Sequence, residues 1–375
     1  MEVSNATDFP DATVIVLFND AADSADKVEG SNYSMPLLVA YVTLALFGCI
    51  GNILVIGAVF VHHKLRVLSN AFVVNLALAD LSVAAVINGF GILGLIRVDF
   101  FLDKPALCEV IGTVCVTSCC GSLWSIASIG INRYVAICHR NLYNRIYTPR
   151  TMVFHLALIW SICFLADIPN FFGMGDHEFD PVLLVCTFDY RESYNYNIFL
   201  FIFAFCLPMV FIVFSYFKIY TYAQSVSKEL HRIRTGEGNC KVKTHSKIRT
   251  TDRRLLRTIL MLVVFFCIMW APFSLIVVID RDNSFSPLVF ILAASLSHTN
   301  SSINWLLYCA TNKHFREGYR LFILTVCCCG RLTRDKESLR MRGVGKFLSR
   351  RTNESTSRES SRTNTAMLKS VEDQL

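Results

Sequence analysis

The chain has 375 residues, of which 53% are hydrophobic and only 17% charged, with 29 phenylalanines and a formal net charge of +7. In an ordinary soluble domain about 25% of residues are charged; here long stretches are nearly free of charge, which excludes that class and reads as a membrane protein. The positive balance alone does not argue for a nucleic-acid partner, because charge in a membrane chain also reports which loops stay in the cytosol.

Residues 1–35 form an acidic head, with seven acidic side chains against Lys27. Two sequons, Asn5-Ala6-Thr7 and Asn32-Tyr33-Ser34, mark Asn5 and Asn32 as glycosylation acceptors if this segment lies outside the cell. The apolar run 12–18 is short and follows no basic segment, so no cleavable signal is expected there. A membrane helix needs about 20 predominantly apolar residues, and seven stretches qualify: 36–61, 69–96, 106–138, 152–172, 195–222, 255–279 and 287–310. The predicted fold is all-α, a seven-transmembrane helix bundle over residues 36–325, followed by a cytosolic tail at 326–375.

The loops alternate in charge. Residues 173–194 carry Asp176, Glu178, Asp180, Asp189 and Glu192 against Arg191. On the other side lie His62-His63-Lys64-Leu65-Arg66, then Arg140, Arg145 and Arg150, then the basic segment 223–254. The positive-inside rule therefore puts the N-terminus outside and the C-terminus in the cytosol of a multi-pass plasma-membrane protein. After the last span, residues 312–322 interleave apolar and basic side chains at helical spacing, the pattern of a short amphipathic helix in the bilayer interface. Cys327, Cys328 and Cys329 follow, where juxtamembrane thiols are palmitoylation candidates; zinc is the rival reading, although adjacent cysteines without histidines lack the usual ligand spacing. The Ser/Thr/Arg-rich tail, with Ser355, Thr356, Ser357, Ser360 and Ser361, reads as disordered and as a target for clustered phosphorylation. Most of the fifteen cysteines lie in the spans and act there as small hydrophobes.

Ionisable groups inside spans are costly and point to function. Asp80 stands in the second span, at a depth compatible with Asn52, Ser118, Ser122, Asn300, Ser301 and Asn304. A carboxylate with hydroxyl and amide oxygens suits a small hard cation such as sodium; the same groups equally suit a hydrogen-bonded network joining helices.

These motifs, in order, resemble the rhodopsin-like G-protein-coupled receptors. The matching residues are Gly51-Asn52, Asp80, Cys108, Arg133 in Asn132-Arg133-Tyr134, Trp160, Pro208, Tyr216, Trp270-Ala271-Pro272, and Asn304 with Tyr308. The resemblance implies a Cys108–Cys186 disulfide tying the acidic loop to the third helix. It implies a sodium pocket of Asp80, Ser122, Asn300 and Asn304, with no other cofactor. Trp270 becomes a packing switch beneath the ligand, and Pro208 and Pro272 become kinks. Tyr216 and Tyr308 then line the cytosolic opening, and Arg133 is restrained by Asp252. The implied partners are an extracellular small ligand, a heterotrimeric G protein, and receptor kinases and arrestin at the tail. The chain departs from the family with Asn132 in place of an acidic residue, Met269 in place of Cys, and Trp305 in place of Pro, the last expected to stiffen the seventh helix.

The nearest branch in pattern is the melatonin receptors and their moody-like relatives, through Asn132-Arg133-Tyr134, Ile137-Cys138-His139 and Asn312-x-x-Phe315-Arg316. That likeness implies a ligand pocket of Cys115, Cys119, Asn170, Phe188, Trp270, Phe273 and His298, and inhibitory-class coupling. Cys115 occupies the position of the amine receptors' aspartate, and His298 that of the opsins' lysine, which argues against amines and retinal. Tyr190 and Val277 replace polar residues of the melatonin pocket. A melatonin-like, uncharged or lipid-like ligand is expected, with a peptide or fatty acid as alternatives, and His298 reads equally as a hydrogen-bonded core histidine. A transporter or ion-conducting protein is the rival class; it predicts broken helices in paired halves, which the chain lacks. No nucleophile–base arrangement for an enzyme is legible.

Overall fold

The computed structural model describes residues 34–97, 99–102, 104–234, 250–281 and 284–327. Its main helices are α1 (Ser34–Val61), α2 (Leu68–Ile96), α3 (Pro105–Cys138), α4 (Pro149–Asp167), α5 (Tyr194–Arg234), α6 (Thr250–Ile279), α7 (Pro287–Thr311) and α8 (Lys313–Cys327). The seven predicted spans thus appear as seven helices, within about five residues of the expected bounds except that α5 continues twelve residues past the predicted end at 222. The chain divides into a unit ending at Tyr319 and a second, Arg320–Leu375, described up to Cys327 as the second half of α8. The exposed Cys327 ends that helix. Asn5, Asn32, Cys328 and Cys329 lie outside the described residues, as does the side chain of Asp252.

The first unit is apolar outside and polar within. Leu46, Phe47, Ile50, Ile53 and Phe60 of α1 are exposed, as are Ile202, Val210, Val213 and Phe217 of α5, whereas Asn52, Asp80, Asn300 and Asn304 are buried. Water would penalise such a surface; lipid does not, and in lipid the helices satisfy their own backbone groups. Five described helices are long and apolar enough to cross a membrane, and α6 contributes the shorter apolar segment Val263–Ile279. The seventh predicted span, 287–310, forms helix α7, which is more polar than those five. Ser295, Ser297, His298, Thr299, Asn300, Ser301, Ser302 and Asn304 crowd its sequence, and most of them turn inward.

Helix α3 is the hub, packed on α2, α4, α5 and α6, while α7 closes the bundle between α1 and α6. Two helices contain a π turn, Val83–Ile87 in α2 and Phe201–Cys206 in α5. The second directly precedes Pro208, whose missing N–H would otherwise leave a gap in the hydrogen-bond ladder. Pro272 lies within α6. By contrast α7 runs unbroken through Trp305, as expected for a helix that lacks a proline there.

Gly51 explains how the bulky Trp305 is accommodated, since a Cβ at Gly51 would fall on the indole ring. Gly51→Ala is therefore expected to cost about 1–3 kcal/mol through overpacking, read as a lower melting temperature of the purified protein in detergent. Gly51→Ala combined with Trp305→Ala should lose less than the sum of the two single changes; additivity would show that the two residues do not share the site.

Between α4 and α5 the acidic loop folds into a β-hairpin, β1 (His177–Asp180) antiparallel to β2 (Val185–Phe188). Cys186 of β2 is bonded to Cys108 at the start of α3, with their Cα atoms 5.0 Å apart. Asp180 sets the hairpin turn: its Oδ1 accepts from the backbone N–H of Val182 and Leu183 at 2.7 and 2.8 Å. Burial pushes the Asp180 carboxyl above its ordinary range, against the opposing pull of Arg191 and those two amides. A short helix, Arg140–Ile146, forms at the opposite end of the bundle. Neither the hairpin nor this helix has a hydropathy signal.

Candidate functional site

Asp80 is fully buried and ties three helices together. Its Oδ1 accepts from Ser122 Oγ on α3 at 2.8 Å, and its Oδ2 from Asn304 Nδ2 on α7 at 2.6 Å. Asn300 is buried one turn before Asn304, and its Nδ2 donates to no protein group. Asn52 donates to the carbonyls of Gly48 and Ser301, both at 2.9 Å, joining α1 to α7. Asn75 extends the network by donating to Ser125 Oγ at 2.7 Å and accepting from Trp160 Nε1 at 2.9 Å. Buried amides and a carboxylate are tolerable only when paired in this way.

Toward the hairpin end the bundle opens into a cavity of about 920 Å³ of empty space, counting its mouth. Cys115, Cys119, Phe188, Trp270, Phe273 and His298 all line it, so six of the seven ligand residues implied by resemblance share one space. Trp270 stacks on Phe266 at 5.8 Å and meets Phe273 edge-on at 6.3 Å. His298 serves both readings, lining the cavity while its Nδ1 lies 2.8 Å from Asn88 Oδ1. The hairpin roofs the space with Leu183, Val185, Thr187 and Phe188, and among the described residues no charged side chain lines it. Polar lining groups beyond those anticipated are Thr187, Asn197, Ser274 and Ser297; they follow no motif, and only the packing of β2, α5, α6 and α7 brings them together.

Asn170 does not line the cavity. It sits behind it in a buried cluster, donating to Asp167 Oδ1 at 3.0 Å and to the Tyr196 hydroxyl at 2.9 Å. His177 Nε2 of β1 also reaches Asp167 Oδ1, at 3.1 Å, with side-chain exposures of 2% and 0% for His177 and Asp167. Asp167 lies inside the predicted fourth span and carries the same ionisable-in-a-span signal as Asp80, although no family motif marks it. Tyr190 is likewise outside the lining and stacks on Phe290 at 4.3 Å. Val277 does line the cavity.

At the opposite end, Arg133 donates to Ser69 Oγ at 3.0 Å. Asn132 is buried beside Tyr147, and Tyr134 bonds to His139 at 2.9 Å. The hydroxyls of Tyr216 and Tyr308 are buried without a protein partner, and Tyr308 stacks on Phe315 of α8 at 4.9 Å.

An apolar exterior, a polar interior, a roofed cavity and a partly buried arginine at the far end fit a seven-helix membrane receptor. The family model of the 7 transmembrane receptor (rhodopsin family) matches residues 51–308, and the chain belongs to that family, the G-protein-coupled receptors, among the relatives of the melatonin receptors. It is 34% identical over 280 residues to melatonin receptor type 1B-B of Danio rerio, covering 72% of this chain and 76% of that one. It is 33% identical over 287 residues to type 1B of Homo sapiens (74% and 75%) and 31% over 284 residues to type 1A of Ovis aries (74% and 74%). Squid rhodopsin shares the fold with a TM-score of 0.64 at 21% identity, over 78% of this chain and 87% of that one.

Proposed function

We propose that the receptor binds a small uncharged, largely apolar ligand, melatonin-like or lipid-like, from outside the cell and activates an inhibitory-class G protein. The observation that carries this reading is the cavity wall, which among the described residues holds no charged side chain to pair with an amine or a carboxylate. Melatonin itself has less support than its class, because Asn170 and Tyr190 are engaged outside the lining. The acidic head and hairpin then face outward, and the basic loops face the cytosol. Ligand binding between the hairpin and Trp270 would shift the bundle toward a state that admits the G protein. The test is a G-protein activation assay in cells expressing the receptor, with a panel including melatonin, related indoles and fatty acids. Activation by an uncharged member is expected; currents or solute uptake with no G-protein response to any member would overturn the reading.

In this reading Arg133 would be held in the resting state by Asp252, since Asn132 carries no acidic group to restrain it. Asp252→Asn is accordingly expected to raise ligand-independent signalling, measured as basal G-protein turnover; an unchanged basal rate would remove this lock. Sodium would bind at Asp80 with Ser122, Asn300 and Asn304, whose buried oxygens form a donor set suited to a hard cation. Sodium chloride should raise the melting temperature relative to choline chloride, and Asp80→Asn should abolish the difference. Glycans at Asn5 and Asn32, palmitates at Cys327, Cys328 and Cys329, and tail phosphates read by arrestin after receptor kinases complete the proposal.

A further inference from the structure

We propose that His62, His314 and Glu317 form a zinc-binding site that joins the end of α1 to the start of α8. His62 Nε2 lies 3.3 Å from Glu317 Oε2, and His314 Nδ1 lies 3.4 Å from the same oxygen. All three ligand atoms fall within 4.8 Å of one another. Ligands on a tetrahedral zinc ion stand roughly 3.4 Å apart when each bond is about 2.1 Å, so two edges of the cluster already have the required length.

The site is held by backbone rather than by loose side chains. The His62 N–H donates to Ala58 O at 3.0 Å and its carbonyl accepts from Leu65 at 2.9 Å, which fixes the first turn beyond α1. The His314 N–H donates to Asn312 Oδ1 at 3.0 Å, and Glu317 follows one helical turn later. Gly318 allows α8 to approach α1, since a Cβ there would come within 2.8 Å of Ala58 Cβ. His63 stacks on His62 at 5.4 Å and 14°, holding the ring plane. Among the described residues the buried Nδ1 of His62 has no hydrogen-bond partner, and the ring's one polar contact is from Nε2 to Glu317. Glu317 and His314 are 54% and 25% exposed at their side chains, which leaves an entry path and a fourth position for water. Two imidazoles and one carboxylate suit zinc, whereas magnesium and calcium prefer all-oxygen sites. Bound zinc would pin the loop between α1 and α2 to α8.

The experiment uses the purified full-length receptor in detergent, titrated with zinc against a chromophoric chelator, without agonist or G protein. It is therefore independent of the ligand and coupling proposed above. One ion per receptor is expected, with a rise in melting temperature that magnesium does not reproduce. His314→Gln and Glu317→Gln should each weaken binding at least tenfold, since loss of even an outer-shell partner costs about 10–100-fold in metal affinity, and both should lose the thermal shift. Cobalt substitution should give the absorption of a four-coordinate nitrogen and oxygen site without thiolate bands. Zinc bound with unchanged affinity by both variants, thiolate bands with cobalt, or no zinc binding at all would each overturn the assignment.

Discussion

Replacing His177 with alanine is expected to lower the receptor's stability by about 1.5–3 kcal/mol, the usual worth of a hydrogen bond to a charged group. Asp167 and His177 are both shielded from solvent, and Asp167 Oδ1 collects the side chains of Asn170, His177 and Tyr196. His177 Nε2 cannot donate to Asp167 and also accept from Asn170, and a carboxylate needs donors, so the proton belongs on Nε2 toward Asp167. Asn170 then donates to Asp167 and Tyr196, and Tyr196 anchors to the carbonyl of Ala166. Gly112 of α3 makes room for the imidazole, which any Cβ at that position would strike. One histidine thus fastens the hairpin to α4 and packs it on α3, while Asn170 and Asp167 carry the link on to Tyr196 of α5. Thermal unfolding of His177→Ala, Asp167→Asn and the double variant would form a cycle. The double change should cost well below the sum of the singles, because Asp167→Asn removes the charge that His177→Ala strands. Strict additivity would reduce His177 to a packing residue.

The second large effect is expected at the disulfide. Cys186→Ser opens a link across 78 residues of sequence, a loop whose closure contributes about 4.5 kcal/mol in the chain-entropy limit. Membrane insertion already restricts the unfolded chain, so the loss should fall in the lower part of the range of about 2–5 kcal/mol. The consequence should concentrate at the cavity roof, because Val185, Thr187 and Phe188 flank Cys186 and line the cavity. Ligand response should therefore fall more steeply than melting temperature, while the Asp167–His177 anchor still holds β1. Equal loss of response and of folded receptor would mean that the disulfide acts on stability alone.

The two effects separate because the hairpin has two fastenings. β1 is held by a buried polar cluster and β2 by a covalent bond, and in the register Phe179 lies opposite Cys186. A single change should loosen one strand, whereas changing both should release the roof from the bundle. The aromatic side of the cavity, Phe205, Phe266, Trp270 and Phe273, forms one chain of ring contacts that continues behind the lining to Phe290. Tyr190 ends that chain on Phe290. Tyr190 thus caps the aromatic row and stays out of the cavity lining.

Much of this receptor is legible in its sequence, for a physical reason. Lipid admits only segments that satisfy their own backbone, so each span announces itself by length and hydropathy. A buried polar residue is costly there, so Asp80, Asn52 and Asn304 stand out before any coordinates are known. The positions of the spans, the Asp80–Ser122–Asn304 cluster and six of the seven residues expected to share a cavity follow from those two constraints and the family pattern. Packing between distant residues decided the rest. Asp167 carries the same signal as Asp80, yet its partner His177 lies in a hairpin with no periodicity to predict it. Asn170 carries the family's ligand-contact identity but is captured by Asp167 and Tyr196 behind the wall. Gly51 and Trp305 each look like an isolated feature until α1 and α7 meet, and His62 meets His314 and Glu317 only where α8 folds back on α1. Hydropathy and motifs report what each residue costs in its own segment; which group meets that cost is a matter of contact, and only the tertiary structure holds it.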